Sequence, residues 1–166
     1  MTNQFSVGDA RITLINAGDM RADLGVWLCV PPDQAPPEYA GTFARPQALP
    51  MQNIHIQLGE ASVLVDASRC RFGDDSVFKL LDYAPPPPLR PQLGAAGIAP
   101  ESITHVVITH AHFDHFNGLC DWPDAPGLSF PNAFHYLGRA DWDGSDVQAD
   151  LKNAAPLISA RFGALN

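Results

Sequence analysis

The sequence predicts an α/β or α+β domain, and three observations carry that reading. Short β-branched, apolar runs recur along the chain, segments with helical spacing lie between them, and Gly- and Pro-rich breaks separate the two kinds. With 166 residues, 46% of them hydrophobic, the chain reads as one globular domain spanning 1–166, able to bury a core without disulfide staples. No internal repeat is visible.

Taken in order, Ala10–Asn16 (ARITLIN) mixes polar and apolar residues as a half-buried strand does, and Gly18 is expected to end it. From Pro31 to Pro50 the chain is Pro-rich, with pairs at 31–32 and 36–37, and reads as a long surface loop. Asn53–Leu58 and Ala61–Asp66 are β-rich runs joined by Gly59-Glu60, which predicts a tight hairpin. Ser76–Tyr83 has helical spacing and is stopped by four prolines, Pro85 to Pro88. Leu89–Gly97 reads as a second helix, with Pro91 in its first turn and Gly97 as its C-terminal cap. After the connector 99–102, Ile103–Thr109 (ITHVVIT) has the composition of a buried central strand. Ala133–Leu137 predicts another strand, and the chain from Arg139 onward reads as helical.

Charge and composition exclude several classes of function. Eighteen acidic against ten basic residues leave a net charge of −8, and no run of Lys or Arg exists to follow a phosphate backbone, so no nucleic-acid partner is expected. No apolar stretch approaches the roughly 20 residues that span a bilayer, so no membrane partner is expected either. The first residues, MTNQFSVGD, lack the basic flank and apolar stretch of a secretory signal, which points to a cytoplasmic protein. Cys29, Cys70 and Cys120 form no Cys-x-x-Cys pair and read as reduced thiols.

The chemistry concentrates at the end of the Ile103–Thr109 strand. Thr109 to Gly118 reads THAHFDHFNG, and three of the six histidines fall here, in the pattern His-x-His-x-Asp-His. His110 and His112, two positions apart, project to one side of an extended chain and can chelate one cation through neutral imidazole nitrogens. Asp114 and His115 follow where the chain turns and can reach a second cation. Two metals about 3.5–4 Å apart can polarise a carbonyl or phosphoryl oxygen and generate a nucleophile from water. The ligand set suits two divalent ions, zinc first, with Fe2+ and Mn2+ served by the same donors. Asp114 is both a candidate ligand and the candidate catalytic carboxylate. Elsewhere, His55 and His105 read as structural or surface residues, and His135 as a structural residue or a further ligand. Asp66, ending a strand, is either a turn residue or a carboxylate that orients a ligating histidine.

These residues resemble a known family. Thr109-His110-Ala111-His112-Phe113-Asp114-His115 matches the signature of metallo-β-lactamase-fold hydrolases, and Val63-Leu64-Val65-Asp66-Ala67 is similar to the family's upstream strand motif ending in aspartate. Residues 93–108 are similar to its helix-and-strand lead-in. Phe130–Ala133 and Arg139–Asp143 resemble the branch of N-acyl-homoserine lactonases and methyl-parathion-hydrolase-like enzymes. The resemblance implies an αββα sandwich with the metal loop at the edge between two sheets, and a supporting role for Asp66. It also implies a small-molecule ester, lactone or phosphotriester substrate, attacked by a metal-bridging hydroxide. The family carries a further histidine, a bridging aspartate and a last histidine downstream, and no Gly-His-[Ser/Thr] segment follows His115. Asp141, Asp143, Asp146 and Asp150 lie at the wrong spacing and read as a solvated helical face. The expectation is therefore the N-terminal half of the fold, completed by a missing C-terminal segment or by a partner chain that carries the further ligands, with a homodimer as the other way to cover its sheet edge. The competing expectation is a non-catalytic remnant, a module that binds metal weakly or dimerises.

Overall fold

The strands of the sheet lie side by side in the order in which the chain supplies them. The computed structural model describes residues 3–68, 89–111, 113–119 and 128–143. Strands β1 (Asn3–Val7), β2 (Ala10–Ala22), β3 (Gln47–Leu58), β4 (Ala61–Val65), β5 (His105–Ile108) and β6 (Phe134–Leu137) form one six-stranded sheet. The first four run antiparallel, whereas β4–β5 and β5–β6 are parallel. The change follows from the connections. Two-residue turns at Gly8-Asp9 and Gly59-Glu60 reverse the chain directly, each with its glycine at positive φ (58° and 54°), while parallel neighbours require longer crossovers.

The predicted hairpin, the helix after the tetraproline and the strand before the His-rich loop all form. Helix α3 (Leu89–Ala95) buries Leu89 and Leu93. It ends as its sequence predicts: Gly97 takes φ 75°, Ile98 N donates to Leu93 O at 2.9 Å and Gly97 N to Gly94 O at 3.0 Å. This paired closure needs a residue without a Cβ penalty in the left-handed region. The short α1 (Leu24–Trp27) and α2 (Ala40–Phe43) precede β3.

Several expectations change. Gly18 does not end the first strand; the extra residue of a bulge, Ala17, precedes it where the register shifts between Asn16 and Gly18, and β2 continues to Ala22. The Asn16 side chain accepts the Gly18 amide at 2.7 Å and so stabilises the irregularity. The Pro31–Pro50 loop contains two 3-10 turns and α2, and its last four residues belong to β3. Pro50 is tolerated there because, among the described residues, this end of β3 pairs with β2 alone. The Ile103–Thr109 run is not buried on both sides: β5 lies between β4 and β6, next to the edge of the described sheet, burying Val106 and Ile108 while Val107 is exposed. The Ser76–Tyr83 helix and Cys70, Cys120, Asp146 and Asp150 lie outside the described residues.

The core lies against one face of the sheet, where Ile15, Leu64, Val106 and Ile108 meet Leu89, Leu93, Ile98, Phe116 and Phe130. The register brings Thr13, Asn53, His55, Ser62 and His135 to this same buried face. The opposite face carries Ile12, Leu14, Ile54, Ile56, Val63, Val65, Val107, Phe134 and Tyr136, all half-buried or exposed. The more apolar face is thus the less covered one. Among the described residues, no helix is long and apolar enough to cross a membrane.

Candidate metal centre

The site is built where β4 and β5, parallel neighbours, both end. Pairing of Val65 with Val107 puts Asp66 and Thr109 at the same rim. At Asp66 the backbone leaves the strand with φ 58°, a conformation costly for a residue with a Cβ though tolerated better by Asp than by most. The peptide is held there from both sides. Asp66 N donates to Val107 O at 2.9 Å, Ala67 N to His115 O at 2.8 Å, and Gly118 N to Ala67 O at 2.6 Å. Behind them the fully buried Asn53 side chain clamps Ser68, accepting its N–H at 2.8 Å and donating to its carbonyl at 3.3 Å.

This geometry aims the Asp66 carboxylate at the His-rich loop. Oδ1 accepts the Thr109 amide at 2.8 Å, the Thr109 hydroxyl lies 3.1 and 3.0 Å from the two carboxylate oxygens, and His115 Nδ1 is 2.8 Å from Oδ2. Burial by itself pushes the Asp66 carboxyl up, but the His115 hydrogen bond and charge and the Thr109 bonds outweigh it. The net result is an Asp66 held below the ordinary carboxylate range. An ionised Asp66 only accepts, so His115 carries its proton at Nδ1 and Nε2 is the nitrogen that would ligate a metal. With its own proton directed to Asp66, the Thr109 hydroxyl accepts from His110 Nδ1 at 3.1 Å, which gives His110 the same tautomer. The two imidazoles stand with ring centres 3.9 Å apart and planes at 50°.

The structure thus brings Asp66, His110 and His115 together. His112 and the Asp114 side chain lie outside the described residues, and among those described no group of three metal-ligating side chains gathers. The donors that are described fit a divalent cation: two adjacent imidazoles with Nδ1 engaged, one of them by a carboxylate, are borderline ligands with fixed tautomers. His55 is buried, its Nε2 2.8 Å from Ser62 Oγ. His105 stacks on Tyr136 across the exposed face, with centres 5.9 Å apart. His135 sits on the core face opposite Val106.

Three contributors escaped the sequence reading. The Thr109 hydroxyl was visible only as part of the motif. Asn53 gave one signal, an amide within a β-branched run. Asp141, expected on a solvated helical face, instead accepts the Ala111 amide at 3.2 Å. β6 and the helix after it carry its carboxylate back to the loop, which a separation of 30 residues conceals.

The comparisons with known proteins agree with this architecture. Residues 55–130, from mid-β3 through the site, match the model of the metallo-beta-lactamase superfamily. A solved probable metal-dependent hydrolase from Staphylococcus aureus superposes with a TM-score of 0.69 at 25% identity, over 83% of this chain and 50% of its own. The fold is that of the metallo-beta-lactamase superfamily. Two further metallo-beta-lactamase-fold structures extend the likeness. AidC, a dizinc quorum-quenching lactonase solved with a product, has a TM-score of 0.66 at 18% identity, over 86% of this chain and 46% of its own. The hydrolase AbOPH of the beta-lactamase superfamily has a TM-score of 0.63 at 20% identity, over 98% and 53%. The chain spans about half the length of these metallo-beta-lactamase-fold proteins.

Proposed function

We propose that the chain serves a metal-dependent hydrolase acting on a small ester, lactone or phosphotriester, with His110, His112, Asp114 and His115 as ligands to two divalent cations, zinc first among them. The observation that carries this reading is the Asp66–His115 pair at 2.8 Å with the His110 ring beside it. When bound, the cations supply Lewis acidity and a lowered pKa for water. The protein's own contribution is orientation. Asp66 keeps the His115 proton on Nδ1, Thr109 does the same for His110, and the carboxylate's backbone bond to Thr109 ties both rings to the end of β5. The lactonase and hydrolase likenesses support the substrate class.

The test is metal content and turnover of the purified chain. The reading expects close to two equivalents of zinc and hydrolysis of an aryl ester or an acyl-homoserine lactone that a chelator abolishes and zinc restores. Metal-free protein that takes up no zinc overturns the site. Full metal loading without turnover overturns the catalytic part and favours the second reading, a metal-binding module that associates through its sheet. That alternative has its own observation in the exposed row Val107, Phe134 and Tyr136, and it expects a dimer in sedimentation that Phe134→Lys dissolves.

A further inference from the structure

His110 is bracketed by two carboxylates that follow different strands of the sheet, β4 and β6. The amide before it, Thr109 N, is taken by Asp66 Oδ1 at 2.8 Å, and the amide after it, Ala111 N, by Asp141 Oδ1 at 3.2 Å. Asp141 belongs to α5 (Arg139–Asp143), which follows β6 directly. Its carboxylate is seated over the turn between them, where a Cβ at Gly138 would stand 3.2 Å from Oδ2. The next residue anchors the turn: Trp142 N donates to Gly138 O at 3.0 Å and the Trp142 side chain packs on the core cluster. A helix fixed to the core by one residue therefore holds the loop by its neighbour.

We propose that Asp141 is a positioning residue for the metal loop. The proposal rests on the metal-site reading above and concerns which groups aim His110. The Ala111 N–H belongs to the peptide unit that leaves His110, so holding it restricts the backbone rotation that swings the His110 ring. On the other side Asp66 holds the N–H and the hydroxyl of Thr109, which fixes the chain one residue ahead of His110. With the residue before His110 and the peptide unit after it both tied, the ring is directed by the sheet and helix rather than by the loop alone, which lowers the ordering that a cation would otherwise have to impose. Asp141 does this through a backbone bond and is not itself assigned as a ligand.

The experiment uses the full chain with Asp141→Ala, which removes the acceptor but keeps helix propensity, and Asp141→Asn, which keeps an acceptor oxygen and removes the charge. Two quantities are read: hydrogen exchange of the Ala111 amide by NMR in metal-free protein, and zinc affinity by competition with a chromophoric chelator. The Ala111 amide is expected to be protected in the wild type and in Asp141→Asn, and to exchange about tenfold faster or more in Asp141→Ala. Zinc affinity is expected to fall about 10–100-fold in Asp141→Ala, the range for groups that orient ligands, and to recover most of the way in Asp141→Asn. Equal amide exchange in wild type and Asp141→Ala overturns the proposal. So does an equal loss of affinity in both variants, since that would make charge rather than the hydrogen bond the cause. If the wild type binds no zinc, the metal reading fails, while Ala111 exchange still decides whether Asp141 holds the loop.

Discussion

Asp66 and His115 are 49 residues apart in sequence and 2.8 Å apart in space. The pair joins the end of β4 to the helix α4 (Phe113–Phe116) that opens after the His-rich loop, and a carboxylate 9% exposed sets the tautomer of a ring 28% exposed. Asp66→Asn tests this pair. Asn tolerates the left-handed backbone and can still accept the Thr109 amide, but its NH2 then faces His115 Nδ1 and favours the proton on Nε2, the nitrogen proposed to ligate. The expected outcome is a folded protein whose zinc affinity is lower by about 10–100-fold, read by chelator competition. Unchanged affinity would show that Asp66 does not control the His115 tautomer.

The Asn53 clamp yields a stability prediction. Asn53→Ala leaves the Ser68 N–H and carbonyl without their partner in the interior, and a buried unsatisfied group costs about 1–3 kcal/mol. Urea unfolding is expected to show a loss in that range with an unchanged m-value. A loss below about 0.5 kcal/mol would mean that water replaces the amide.

His55 makes stability depend on pH. Burial, and then the charge of Arg11, depress its pKa from the ordinary 6.5. The unfolded state therefore binds the proton more readily than the native state, so this contribution is fully present above pH 6.5 and is lost as pH falls below it. The difference in unfolding free energy between pH 7.5 and pH 5.5 is expected to shrink in His55→Gln, measured by urea titration at both pH values. An identical pH slope in the variant would remove His55 as its source.

Gly94 in α3 and Gly97 just beyond its end should respond in opposite senses. Gly94 is helical, exposed and has open space where a Cβ would go, so Gly94→Ala is expected to raise stability by about 0.5–1 kcal/mol. Gly97 also has open space but sits at φ 75°, so Gly97→Ala is expected to lower stability by about 1 kcal/mol. Thermal unfolding of the two single variants distinguishes conformational strain from crowding, since neither site is crowded.

Local chemistry made much of this protein legible. Gly59-Glu60 specifies its hairpin because the turn needs positive φ at the glycine. Gly97 specifies the end of α3 for the same reason, and the β-branched run at 103–109 specifies β5 ahead of the His-rich loop. The motif itself predicts metal chemistry, because imidazoles and a carboxylate at that spacing have few other uses. Gly18 is ambiguous for a local reason too: a glycine that could end a strand instead continues it beside a bulge, and only pairing with β3 separates those outcomes.

What the sequence by itself determined is where strands and helices form and which loop carries the candidate ligands. Only the tertiary structure decided which face of the sheet is buried. Both faces are apolar enough to serve, and the face carrying Asn53, His55 and Ser62 went inward, where packing under α3 and hydrogen bonds satisfy their polar atoms. It also decided which groups hold the candidate ligands. Asn53 to Ser68, Ala111 to Asp141, Thr109 to Asp66 and His115 to Asp66 span 15, 30, 43 and 49 residues. Such contacts depend on strand register and on the parallel crossovers, which bring the ends of β4 and β5 to one rim and return α5 to the loop. Periodicity along a chain holds no information about those distances, because they are fixed only when the sheet closes its ladder of hydrogen bonds.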